Sequence, residues 1–149
     1  MFSPRRCGIT GSWLAAGSPE RVPGYLRSFW AERGLPLDGV QFADGSGLSR
    51  RNRATALFLV ELLRYMARRP VEWPAFVGSL AVAGQDGTLA GRFRTGPSRG
   101  RVWAKTGTMH DMACLSGYVA TAGGGLVAFS SIINNCAGRL ESARYLQEK

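Results

Sequence analysis

The sequence predicts an α+β fold in which helices pack on an antiparallel sheet. Three observations point to it. Apolar residues recur at helical spacing through the first half of the chain. The period changes to that of strands near Val102, and a glycine-rich turn, AGGG at 122–125, separates two of those strands. At 149 residues the chain is one domain's worth, long enough to bury a core, and no linker or internal repeat marks a second domain.

The elements follow in order. Residues 1–17 show no period and read as an irregular or misassigned start. From Ser18, SPERVPGYLRSFWAERG places Val22, Tyr25, Leu26, Phe29 and Trp30 at helical spacing. Pro23 and Gly24 put the start of this helix near Gly24, and Gly34 supplies its stop. DGVQFADGSG reads as a short strand, Val40 to Ala43, ending in a tight turn at Asp44, Gly45, Ser46 and Gly47. The strongest helix spans Ala54 to Arg69, with a wide apolar face, Arg68 and Arg69 in its last turn and Pro70 as its stop. WPAFVGSLAVAG contains another short helix with Pro74 in its first turn. GQDGTLAGRFRTGPSRG reads as loop. Three strands follow as a meander, from Val102 to Lys105, over CLSGYVATA, and over LVAFSSIINN; ESARYLQEK closes the chain as a short helix.

The composition excludes several classes. A net charge of +9 attracts polyanions, but the arginines are scattered and no basic run interleaves with aromatics, so nucleic acid is not an expected partner. No apolar run reaches the roughly 18 residues of a transmembrane helix. The N-terminus carries no convincing signal peptide: Arg5 and Arg6 are followed by a short, Gly-rich stretch. Cys7, Cys114 and Cys136 have no metal-like spacing, and His110 is the only histidine. No metal or cofactor is therefore expected, and the disulfide state of the three cysteines and the oligomeric state stay open.

Lysine is rare here. Of the 19 lysine and arginine residues, all but Lys105 and Lys149 are arginine. Lys105 opens Lys-Thr-Gly-Thr at the end of a strand. K-T-G is one of three short motifs of penicillin-binding proteins and β-lactamases, beside S-x-x-K and an S-x-N triplet. The chemistry is coherent. A strand at a cleft rim can pair with an extended peptide. The Lys105 ammonium and Thr106 hydroxyl can hold a carboxylate, and Gly107 lets groups approach the backbone.

Three blocks, DGSGLSRRN at 44–52, LAVAGQDGTLAGRF at 80–93 and VWAKTGTMHDMACLSGYVAT at 102–121, resemble the D-alanyl-D-alanine carboxypeptidase/endopeptidase family of low-molecular-mass penicillin-binding proteins. The resemblance runs from about Ser18 to the end. It implies the C-terminal part of the penicillin-binding-protein/β-lactamase-like transpeptidase fold over 18–149. It also implies acyl transfer by a serine nucleophile on peptidoglycan peptides, with β-lactams as ligands, in the periplasm or cell envelope. Lys105 and Thr106 would then be the motif's catalytic-site pair. Lys105, Thr106, Gly107 and Thr108 would bind substrate, with the Thr108 N–H as half of an oxyanion hole. Asp44, Gly45, Ser46 and Gly47 would be a signature turn near the cleft. His110 reads as a cleft-edge contact at best, since the family's base is a lysine, and Cys114 reads as buried.

Two motifs are missing. No serine is followed three positions later by a lysine, and none stands two before an asparagine; Ser49 and Asn52 miss by one. The nucleophile and its base are thus absent from these 149 residues. A fragment of a longer enzyme, from a truncated gene, a shifted start or a degenerate copy, is the expectation. The chain alone would be inactive. The alternative is a non-catalytic pseudoenzyme or a module binding cell wall or a partner.

Overall fold

The computed structural model describes residues 21–44 and 49–149. They fall into two compact units, one ending at Thr55 and the other beginning at Ala56. The expected irregular start at 1–17 lies outside the described residues.

In the first unit, α1 (Val22–Ala31) begins two residues earlier than expected, because Pro23 fits the first turn, where a missing N–H costs nothing. The chain reverses at Gly34, whose φ of +72° only glycine adopts without strain. The expected strand from Val40 to Ala43 does not form. A single bridge joins Gln41 to Arg53. The Asn52 side chain ends the pairing: its Oδ1 accepts the amides of Ala43 at 2.7 Å and Asp44 at 3.3 Å.

The second unit opens with α2 (Ala56–Ala67), shorter than the periodicity suggested. Arg68 and Arg69 lie past its end, and Arg69 instead pairs with Glu72 at 2.8 Å. Next come α3 (Trp73–Gly78) and β1 (Ala81–Val82), a two-residue strand missed in sequence. A 3-10 turn (Gly87–Leu89) precedes β2 (Val102–Met109), β3 (Met112–Ala120) and β4 (Leu126–Asn134); α4 (Leu140–Leu146) closes the chain. The meander is therefore part of a four-stranded antiparallel sheet, ordered β1-β2-β3-β4. The α+β class holds.

Strand alternation assigns the two faces. Val102, Ala104, Leu115 and Phe129 pack with Ala83, Leu89 and Phe93, so the stretch expected to be plain loop supplies two core residues. On the same face Ala113 packs with Cys136 and with Ala143 of α4. The opposite face meets α2. There Tyr118 donates its hydroxyl to the Leu63 carbonyl at 2.7 Å, and its ring meets Trp73 edge-on at 4.9 Å.

Candidate active site

Lys105, Thr106, Gly107 and Thr108 all lie on β2, and the site follows from how that strand is paired. On one side it runs against β3 over its whole length, from Val102↔Val119 to Met109↔Met112. On the other, β1 covers only Trp103 and Ala104. The Val102 carbonyl accepts the Ala83 amide at 2.9 Å, so it faces the β1 edge. By the two-residue alternation of an antiparallel ladder, the backbone groups of Ala104, Thr106 and Thr108 face the same way. Beyond Ala104, no described strand takes them up.

A groove of about 770 Å³ runs along this open edge, between the 3-10 turn and α4. Three threonines line it, Thr88, Thr106 and Thr108, together with Tyr145, the cations Lys105, Arg92 and Arg144 and the carboxylates Glu141 and Glu148. Two of the cations are already matched. Arg92 Nε meets Glu148 Oε1 at 2.7 Å, and the same guanidinium donates to the Arg144 carbonyl at 3.1 Å. Arg144 meets Glu141 at 2.6 Å. Lys105 is different: among the described residues no carboxylate pairs with it, and its Nζ donates to the Thr106 carbonyl at 2.6 Å. The Thr106 hydroxyl donates to Thr88 Oγ1 at 2.9 Å.

The groove can thus offer an anion one unmatched ammonium and several hydroxyls, beside backbone groups that an extended peptide can pair with. Gly107 faces Cys114 across the ladder. A Cβ at Gly107 would meet Cys114 Cβ at 3.4 Å, an ordinary contact, so packing within the protein does not demand glycine there. Burial pushes the Cys114 thiol up, with the nearby Cys136 adding to the shift, so it is a poor nucleophile. Both are free thiols. His110 is exposed in the turn between β2 and β3.

The signature turn is described only at Asp44, whose Oδ1 accepts the Asn52 side-chain amide at 3.1 Å; Gly45, Ser46 and Gly47 lie outside the described residues. Reading the sequence missed Thr88, Arg92 and Asn52, although all three sit inside the blocks that carried the resemblance. Nothing local marks Thr88: its neighbours read as a Gly-rich turn, and only the fold brings it to Thr106.

A model of the D-Ala-D-Ala carboxypeptidase 3 (S13) family matches residues 16–147. The chain belongs to that family. It is 44% identical over 112 residues to a D-alanyl-D-alanine carboxypeptidase of Actinomadura sp. (strain R39), covering 70% of this chain and 20% of that protein. To the D-alanyl-D-alanine carboxypeptidase DacB of Haemophilus influenzae it is 33% identical over 120 residues, covering 78% of this chain and 25% of that one. The crystal structure of penicillin-binding protein 4 (dacB) from Haemophilus influenzae, solved with a β-lactam, superposes with a TM-score of 0.76 at 28% identity; the match covers 87% of this chain and 32% of that one. The chain of this S13 family member therefore spans a fifth to a third of the length of these relatives. Among its described residues, no helix is long and apolar enough to cross a membrane, and no group of three or more His, Cys, Asp or Glu is placed to hold a metal.

Proposed function

We propose that this chain supplies the carboxylate-binding side of a serine-type D-Ala-D-Ala carboxypeptidase/endopeptidase site, without the groups that break the bond. The observation that carries this is Lys105. In a groove whose arginines each have a carboxylate, its ammonium has none among the described residues, and it stands in the half of β2 whose second edge no described strand covers. A peptide ending in a free carboxylate satisfies both features. Its charge meets Lys105 and the Thr106 and Thr108 hydroxyls, while its backbone pairs with the strand. The Thr108 N–H, facing the open edge, would donate to a scissile carbonyl that becomes an oxyanion.

These residues bind and orient; they do not attack. Acyl transfer needs a nucleophile and a base, and the 149 residues hold no Ser-x-x-Lys and no Ser-x-Asn. Without a nucleophile, only the binding and oxyanion contributions to rate remain. A further length of polypeptide would have to bring the serine, with 18–149 forming the C-terminal part of the peptidase domain. Peptidoglycan peptides and β-lactams are the proposed ligands, and the periplasm or cell envelope is where they would be met.

Fluorescent penicillin, offered to the folded chain and read by intact mass, tests this. No covalent adduct is expected. An adduct would mean that a serine in this chain is activated, and the division between binding and bond-breaking residues would be wrong.

A further inference from the structure

We propose that Thr88 is a positioning residue of this groove, holding the Thr106 hydroxyl toward an incoming carboxylate. This rests on the reading of the groove given above. Thr106 and Thr88 join hydroxyl to hydroxyl at 2.9 Å, and both line the groove.

Thr88 stands on a fixed support. The residue after it, Leu89, is completely buried, and its carbonyl accepts the Gly84 amide at 3.0 Å. Two residues before it, the Asp86 carboxylate accepts the Val82 amide of β1 at 2.7 Å. Gly87 has a φ of +51°, and a Cβ there would meet Ala81 Cβ at 3.0 Å, so the turn sits directly against β1. Thr88 therefore enters the groove from the sheet's own scaffold, which is what a group needs if it is to aim another side chain.

A hydroxyl has one proton and can accept twice. In the structure Thr106 donates to Thr88. A carboxylate offers acceptors only, so Thr106 must turn its proton to the ligand. Thr88 then donates its own proton's hydrogen bond to Thr106 Oγ1. No bond is made or broken; the hydrogen bond changes direction while the heavy atoms stay in place. A chain of two hydroxyls polarises the outer one and strengthens its bond to an anion. Thr88→Val keeps the branched shape and loses this action. Thr88→Ser keeps the hydroxyl.

The test is a titration of the full chain, followed by backbone amide NMR shifts, with diacetyl-Lys-D-Ala-D-Ala and with its C-terminal amide. Wild type is expected to favour the free carboxylate. Thr88→Val should weaken that peptide roughly five- to tenfold, the scale of one lost hydrogen bond. The amide should change by less than about twofold, and Thr88→Ser should restore carboxylate affinity. If the valine variant does not give a dispersed spectrum, Thr88→Ala provides the same comparison. Unchanged carboxylate affinity in a folded variant overturns the role of Thr88 and leaves the groove reading standing. Equal weakening of both peptides makes Thr88 purely structural and also overturns it. A wild-type chain with no preference for the free carboxylate overturns the groove reading and this inference together.

Discussion

The two halves of β2 have opposite chemistry. At Trp103 and Ala104 the strand is paired on both sides, the Val102 carbonyl takes the Ala83 amide, and Val102 and Ala104 are buried. From Lys105 to Met109 it is paired on one side only among the described strands, and Lys105 and Thr108 are exposed. Two glycines, Gly117 on β3 beside the first half and Gly107 within the second, repeat the contrast. At Gly117, opposite Ala104, a Cβ would overlap the Trp103 carbonyl oxygen and come within 2.6 Å of Ala104 Cα. At Gly107 the protein leaves room. One glycine is required by the fold; at the other, packing makes no such demand. A single strand thus anchors the sheet with one half and leaves an edge open, among the described strands, with the other.

Gly117→Ala should therefore break the first half outright. Backbone, not a flexible side chain, stands in the way, and the expected cost is about 3 kcal/mol or more. In urea the variant should show no cooperative transition, or one at a much lower midpoint. Gly107→Ala, in the second half, should melt within about 0.5 kcal/mol of wild type and bind a D-Ala-D-Ala peptide more weakly. If both glycines prove equally costly, the contrast is lost.

Tyr118, paired with Trp103, sharpens the structural half. Its hydroxyl bonds the Leu63 carbonyl, and burial pushes its pKa up to about 12 from an ordinary value of 10. The folded state thus favours the neutral phenol. That stability is complete below pH 10 and is lost as pH climbs from 10 through 12. Tyr118→Phe should cost about 1 kcal/mol at pH 8. The gap to wild type should close between pH 10 and 12 in paired denaturation curves. A constant gap would mean that the phenol does not titrate with folding.

Lys105→Met should have the smallest effect on stability, within about 0.5 kcal/mol, because the ammonium is exposed and pairs with no carboxylate among the described residues. Its effect should fall on ligand: the preference for a free C-terminal carboxylate over the amide should vanish. Retained preference would place the anion elsewhere.

Much of the sheet was legible in sequence because period-two alternation and the glycine turn at 122–125 are local signals. β1 was not, since two residues hold no period; its existence depends on the pairing of Ala81 with Ala104, residues 23 positions apart in the chain. The strand expected at Val40 failed for a local reason, the Asn52 side chain taking the amides that a ladder would have used. Of the site, Lys105 through Thr108 could be found as a contiguous motif standing out by its rare lysine. Thr88 and the two arginine–carboxylate pairs could not, because their meaning comes from the groove, which only the packing of α4 and the 3-10 turn creates.

The most direct test of the central claim is amide hydrogen exchange along β2, with and without diacetyl-Lys-D-Ala-D-Ala. Ala104, Lys105 and Gly107 should be protected in the free chain, Thr106 and Thr108 should exchange fast, and the peptide should protect those two. Protection of Thr106 and Thr108 without peptide, or no change when it is added, would contradict a β2 edge left open for a carboxylate-ended strand.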